Sequence, residues 1–148
     1  MQVSGLVASI LSQKGGSVYS IAPDAMVYDA IQMMADKNVG ALLVMKDEKL
    51  MGVISERDYT RKVILKGKLS KQTPVQEIMT SPVITVTPNH SIDECMRLIS
   101  EKRVRHLPVV DGEKVVGVVS VGNLVNWIIS AQNATINQLQ NYISGGYA

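Results

Sequence analysis

Five residues have the types and spacing needed to bind a small ligand: Ser55, Arg57, Asp58, Arg105 and His106. A carboxylate can accept hydrogen bonds from two neighbouring hydroxyls, and arginine can donate two parallel bonds to a phosphate. A serine that opens a helix brings free backbone N–H groups, which also suit a phosphate. By spacing alone, Ser-x-x-Asp is more typical of a helix cap, and the two cations at 105 and 106 could be a solvated rim. Both interpretations stay open at this point.

The sequence shows no catalytic constellation. Two histidines and one cysteine have neither metal-ligand spacing nor a Ser/His/Asp order. Cys95 falls on the apolar stripe of a predicted helix, where an inert buried thiol is expected. We therefore predict that the protein is not an enzyme, binds no metal and requires no cofactor.

Charge is distributed unevenly along the chain. The 148 residues carry a net charge of only +2, yet residues 57–71 hold six basic side chains against one acidic one. This basic arc has Tyr59 as its only aromatic residue, so a nucleic-acid site is a minor alternative. No stretch approaches the roughly 20 apolar residues of a membrane span, and the first thirteen residues lack a basic side chain. We expect no membrane association and a cytoplasmic location.

The C-terminal segment, residues 115–148, carries no charged side chain. It is rich in Asn and Gln and includes large apolar residues, which is typical of a contact surface. Packing of a helix on its own domain would explain it equally well. The segment is the predicted dimer surface.

A gap-free repeat runs through the chain. At an offset of 65 residues, Ser20–Tyr59 aligns with Thr85–Leu124, and ten of the forty positions are identical. Each copy predicts the order β-α-β-β-α. The predicted strands are 18–21, 41–45 and 50–54 in the first copy, and 83–87, 107–110 and 115–119 in the second. The first helix of each copy is predicted from apolar residues at helical spacing, at 27, 30, 31 and 34 and at 92, 95, 96 and 99. The second helix of each copy is predicted at 56–65 and 121–129. Ser91 and Glu94 have capping-box spacing, and Asp24 is the expected cap of the first copy.

The stretches GVISERD at 52–58 and RVRHLPVVD at 103–111 resemble the cystathionine β-synthase (CBS) domain. The resemblance covers nearly the whole chain and implies an α+β fold, with two tandem repeats packed sheet to sheet as one pseudo-twofold module. Repeat 1 is predicted at 7–66, a linker at 67–74, repeat 2 at 75–130 and a C-terminal helical extension at 131–148. It further implies an adenosine ligand (AMP, ADP, ATP, NAD or S-adenosylmethionine) between the repeats, homodimers and an unidentified regulated partner.

The resemblance implies roles for particular residues. Asp58 is the candidate for the ribose hydroxyls, the strand Ser20-Ile21-Ala22 for adenine, and Ser55 and Arg57 for the phosphate. Arg105, His106 and Pro108 are assigned to the same site. A second site is predicted from Thr85, Val86, Ser120 and Asn123 beside Gly40 and Ala41. It is expected to be weaker than the first, because it lacks a carboxylate and cations.

Two function classes compete. The favoured one is a nucleotide-sensing regulatory module, whose ligand changes its conformation and so signals to a partner. The alternative is a ligand-independent module for dimerisation or protein interaction. A ligand that binds only the folded state raises the melting temperature, which separates the two.

Overall fold

The computed structural model describes residues 5–144. In this part of the chain, six α-helices and five strands form a mixed α+β fold, which confirms the predicted class. By their contacts, the residues divide into two compact units. The helical unit comprises the described residues of Met1–Gly15, Val86–Leu107 and Val119–Ala148, and the sheet unit comprises Gly16–Thr85 and Pro108–Val118.

A three-stranded sheet forms the centre of the sheet unit, in the order β1 (Ser20–Ile21), β2 (Ala41–Lys46) and β3 (Lys49–Ser55). β1 runs parallel to β2, and β3 runs antiparallel to it. Leu42, Leu43 and Val44 are buried in succession on β2. A run of buried residues without alternation means that both faces of the strand are covered. The sheet therefore presents its functional side chains at strand ends.

Helix α2 (Val27–Lys37) covers this sheet. Asp24 does not cap it, so that prediction is wrong: no side chain caps α2. The Val27 N–H instead donates to the Thr73 carbonyl over 2.8 Å, which satisfies a donor that a cap would otherwise take. The core of the unit comprises Ile21, Val27, Ala30, Met34, Leu42, Val44, Ile54, Val63, Val75 and Ile78.

The helical unit contains α1 (Val7–Lys14), α5 (Ile92–Lys102) and α6 (Val121–Ser144). The predicted capping box of α5 is confirmed, since the Glu94 N–H donates to Ser91 Oγ over 3.0 Å and the Ser91 N–H donates to the Glu94 carboxylate over 3.1 Å. α6 has 24 residues and joins the predicted helix 121–129 to most of the predicted extension. Residues 145–148 of that extension lie outside the described residues.

Two further local predictions differ from the structure, and two helices were not predicted. Residues 83–87 form no strand, and only Val86 makes a bridge. Prolines at 82 and 88 flank this segment and cannot donate to a ladder. The predicted helix 56–65 is a short α3 (Glu56–Tyr59) followed by a π-helical turn, Thr60–Ile64. Helices α1 and α4 (Val75–Ile78) were not predicted.

The second copy's strands, β4 (His106–Asp111) and β5 (Lys114–Ser120), pair as a separate two-stranded sheet. Gly112, in the turn between them, has a φ of 65°, a left-handed conformation that glycine adopts readily. Among the described residues, no helix is long and apolar enough to cross a membrane.

Candidate functional site

Asp58 and Ser55 form a reciprocal capping box at the start of α3. The Asp58 N–H donates to Ser55 Oγ over 3.2 Å, and the Ser55 N–H donates to Asp58 Oδ2 over 3.0 Å. The Ser55 hydroxyl also donates to Oδ2 over 3.0 Å. β3 ends at Ser55, so the strand and the cap together fix the direction of the carboxylate. The structure therefore confirms that Ser55 and Asp58 cap helix α3.

The other oxygen of Asp58 contacts two side chains that sequence reasoning did not assign to the site. Lys62 Nζ lies 3.0 Å from Oδ1, and Thr80 Oγ1 donates to Oδ1 over 3.5 Å. The Asp58 side chain is only 13% exposed. The i, i+4 spacing of Asp58 and Lys62 is the signal that would have found the first contact. Nothing in the local sequence points to Thr80, because it is 22 residues away.

The Lys62 side chain is 43% exposed. Its ammonium group also donates to the Ile78 carbonyl over 3.0 Å. Ile78 is the last residue of α4, and Thr80 follows closely. Asp58 is thus linked to the segment that follows α4 through both Lys62 and Thr80.

Three backbone N–H groups at the start of α3 already have acceptors, in contrast to the sequence expectation that these groups are free. The Glu56 N–H donates to the Gly40 carbonyl over 3.1 Å. The N–H groups of Ser55 and Asp58 are used by the capping box. Arg57 on this helix is exposed.

The remaining predicted residues of the sheet unit lie along its strands. β1 is an edge strand, so one side of its backbone faces away from β2. Ile21 is buried, whereas the side chains of Ser20 and Ala22 are exposed. Gly40 and Ala41 lie at the start of β2, where Ala41 pairs with Ser55. Of the other two residues assigned to this unit, Pro108 is buried and Thr85 is exposed.

The helical unit repeats the cap at the start of α6. The Ser120 N–H donates to Asn123 Oδ1 over 2.9 Å, and the Asn123 N–H donates to Ser120 Oγ over 3.1 Å. Lys14, at the end of α1, donates to the same Asn123 oxygen over 3.0 Å. The second predicted site was expected to lack cations, and this is wrong, because α1 brings one. Burial lowers the pKa of Lys14.

Arg105 and His106 belong to the helical unit, together with Ser120 and Asn123. The Val121 N–H, the first of α6, donates to the Arg105 carbonyl over 2.9 Å. Burial lowers the pKa of His106, and the positive charges of Arg105 and Lys14 lower it further. Two cations, Arg105 and Lys14, and the His106 ring therefore lie near the start of a 24-residue helix. Val86, the other predicted residue of this unit, is buried.

Cys95 is buried on α5. Burial, with a contribution from Glu94, raises the pKa of its thiol to about 11. A thiol with such a pKa is protonated at neutral pH and is a poor nucleophile. Among residues 5–144, no group of three or more His, Cys, Asp and Glu side chains could hold a metal ion.

Comparison with known proteins identifies the family. A family model of the CBS domain matches residues 7–64 and 75–130. The mitochondrial CBS domain-containing protein CBSX3 of Arabidopsis thaliana is 39% identical over 153 residues, which cover 97% of this chain and 74% of that protein.

Solved structures agree with this assignment. A putative signal-transduction protein with CBS domains from Burkholderia ambifaria has a TM-score of 0.84 and 48% identity, covering 86% of this chain and 96% of that one. The CBS domain pair of protein MJ0100, solved in complex with 5′-methylthioadenosine and S-adenosyl-L-methionine, has a TM-score of 0.74 and 25% identity, covering 82% and 94% of the two chains. The chain therefore belongs to the CBS domain family and carries two CBS domains in tandem.

Proposed function

We propose that the protein is a regulatory module that binds an adenosine nucleotide, and that the Asp58 carboxylate accepts hydrogen bonds from the ribose hydroxyls. The observation that carries this proposal is the geometry of Asp58, whose side chain is 13% exposed and oriented by the Ser55 cap. A carboxylate held in one direction loses little conformational freedom when a ligand binds. The complex of MJ0100 with two adenosine compounds supports the ligand class.

The edge strand β1 is the proposed contact for adenine. Two strand spacings of about 4.8 Å separate β1 from β3, which ends at Ser55. An extended nucleoside monophosphate can bridge that distance. The outer side of the β1 backbone supplies hydrogen-bonding groups, and the buried Ile21 side chain anchors the strand to the core. The assignment of Arg57, Arg105, His106 and Pro108 to the same ligand rests on the sequence resemblance and is part of the proposal.

Ligand binding at Asp58 would compete with contacts inside the sheet unit. Oδ2 already accepts two bonds from Ser55, so the ribose hydroxyls must use Oδ1. Thr80, at 3.5 Å, makes the longest of the Asp58 contacts and would be displaced first. If the second ribose hydroxyl also displaces Lys62 from Oδ1, Lys62 keeps only its bond to the Ile78 carbonyl. This exchange would change the segment after α4, which gives the ligand a route to a conformational signal.

We propose that the Asp58 site binds the nucleotide more tightly than the second site at Ser120 and Asn123. At the second site Asn123 offers a neutral amide, which binds two hydroxyls less strongly than a carboxylate does. Lys14 adds a cation there that the sequence prediction did not include. Occupancy of the second site by a phosphate-bearing ligand is therefore more favourable than the sequence alone indicates.

Nucleic-acid binding through the basic arc is the less favoured alternative. Lys62 pairs with Asp58, Lys68 lies 3.7 Å from Glu77, and Lys71 lies over the Tyr28 ring. These cations are partly used within the unit, so fewer are available for a polyanion. The domain limits 7–66 and 75–130, the cytoplasmic location, the homodimer and the regulated partner stay predictions.

Thermal unfolding of the purified protein with AMP, ATP, NAD, S-adenosylmethionine and, as a control, GMP tests the proposal. At least one adenosine compound should raise the melting temperature, because a ligand at 100 times its Kd stabilises the fold by about 2.7 kcal/mol. Mass spectrometry of small molecules released on denaturation would identify a co-purified ligand. If no adenosine compound shifts the transition, the ligand-independent interaction module is the better function.

A further inference from the structure

The Asp58 carboxylate already has partners for both of its oxygens. Oδ2 accepts from the N–H and the hydroxyl of Ser55, and Oδ1 is contacted by Lys62 and Thr80. A carboxylate has about four lone-pair sites, so these contacts fill them. The two ribose hydroxyls of a ligand therefore cannot simply add to this set, and each must replace one of the partners.

Lys62 differs from the other partners of Asp58 because it carries a charge. Its ammonium group lies 3.0 Å from Oδ1, and among residues 5–144 no other carboxylate pairs with it. The Asp58 side chain is 13% exposed, so salt and water screen this pair only in part. A hydroxyl that replaces Lys62 at Oδ1 satisfies the carboxylate but leaves the ammonium group without a counter-charge. The Ile78 carbonyl, its other partner at 3.0 Å, is neutral.

The missing counter-charge can come from the ligand itself. AMP carries negative charge on its phosphate, whereas adenosine has the same base and ribose and no charge. The Lys62 side chain is 43% exposed and has a flexible stem, so its ammonium group has room to turn towards a bound phosphate. Lysine binds phosphate as a point charge and needs no fixed geometry for this contact.

We propose that Lys62 makes the Asp58 site select nucleotides over nucleosides, because its charge passes from the carboxylate to the phosphate of the ligand. This inference rests on the proposed function and extends it to the charge of the ligand. A nucleoside that displaces Lys62 breaks an ion pair and forms none. A nucleotide exchanges one ion pair for another, so the same ribose contact costs it less.

Calorimetric titration of the full chain with AMP and with adenosine tests this inference. The wild type should bind AMP at least about tenfold more tightly than adenosine. In Lys62→Met this preference should fall about tenfold. Adenosine should bind the variant more tightly than the wild type, because no ammonium group competes for Oδ1. An unchanged preference in Lys62→Met, or weaker binding of adenosine to it, would overturn the inference.

Arg61→Met is the matched control for the loss of charge. Arg61 is exposed and precedes Lys62 in the same π-helical turn. The control should keep the wild-type preference for AMP, and an equal loss in both variants would overturn a specific role for Lys62. Lys62→Gln is a second variant, whose uncharged amide can still donate to Asp58 and should also lose the preference. Urea unfolding checks that all variants fold.

These titrations separate this inference from the proposed function. A wild type that binds neither compound contradicts both. If the wild type binds AMP and Lys62→Met keeps the full preference over adenosine, the ribose-binding role of Asp58 stands and only the role of Lys62 is wrong.

Discussion

The Ser55 hydroxyl donates to Asp58 Oδ2 over 3.0 Å and accepts from the Asp58 N–H over 3.2 Å. One pair of side chains therefore ends β3, begins α3 and orients the carboxylate proposed to bind ribose. The cap and the proposed ligand site share these two residues. Because Asn123 replaces the aspartate in the other cap, the chain itself shows which substitution separates these roles.

Asp58→Asn should preserve the fold and weaken nucleotide binding. An asparagine can accept from the Ser55 N–H, as Asn123 accepts from Ser120. Losing a hydrogen bond to a charged group costs about 1.5–3 kcal/mol, which corresponds to about 10- to 100-fold in Kd. Calorimetric titration with AMP measures the affinity, and urea unfolding measures the stability. Asp58→Ala is the comparison and should lose both. Equal AMP affinity in the wild type and Asp58→Asn would argue against a ribose-binding role.

Ser55→Ala should reduce both stability and ligand affinity. The loss of a serine cap costs about 1 kcal/mol, and the Asp58 carboxylate also loses the hydroxyl that orients it. Ser91→Ala is the matched control, since Ser91 caps α5 in the same way. The control should lose similar stability in urea and keep AMP affinity. If both variants bind AMP like the wild type, the orientation of Asp58 by Ser55 has no role in binding.

Gly52→Ala should destabilise the sheet unit by about 1–3 kcal/mol. A Cβ at this position would lie 2.9 Å from the Thr80 carbonyl oxygen and 2.6 Å from Met79 Sδ. The Met79 side chain can move, but the backbone carbonyl cannot without breaking its bridge to Val53. Gly122→Ala is the control, since its Cβ would meet Ser120 Oγ at 3.6 Å within a helix. Urea unfolding should show a loss of stability for Gly52→Ala and no loss for Gly122→Ala. An unchanged Gly52→Ala protein would show that the segment at Met79 and Thr80 can move away freely.

The fold should lose stability as the pH falls below about 6.5, through His106. Burial, Arg105 and Lys14 lower the pKa of this histidine from its ordinary value of 6.5, so the unfolded chain binds more protons in that range. Stability linked to His106 is present at neutral pH and is lost progressively as the pH falls towards the lowered folded pKa. Glu94, whose pKa is lowered mainly by its bond from the Ser91 N–H, acts only below about 4.5.

Melting temperatures between pH 7.5 and 5 check this dependence. The wild type should lose more stability across the range than His106→Gln, which cannot take up the proton. Parallel curves for the two proteins would place the sensitive group elsewhere.

Features that depend on residues close together in the chain were predictable from the sequence. The duplication set the order of the elements, and the Ser55–Asp58 and Ser91–Glu94 spacings predicted two caps that the structure contains. The contacts of Thr80 with Asp58 and of Lys14 with Asn123 were not predictable, because they join residues 22 and 109 positions apart. The missing strand at 83–87 shows a further limit. The repeat predicted this strand from the first copy, but Pro82 and Pro88 flank the segment and cannot donate to a ladder, so no strand forms there.

The central claim is that Asp58 recognises the two ribose hydroxyls, and calorimetric titration of AMP against 2′,3′-dideoxy-AMP tests it most directly. The wild type should bind AMP at least about tenfold more tightly, since the analogue leaves a partly buried carboxylate without these donors. Asp58→Asn should bind the two compounds with nearly equal affinity. If the wild type binds both compounds equally, or the variant keeps the full preference for AMP, another residue recognises the ribose and the proposed site is wrong.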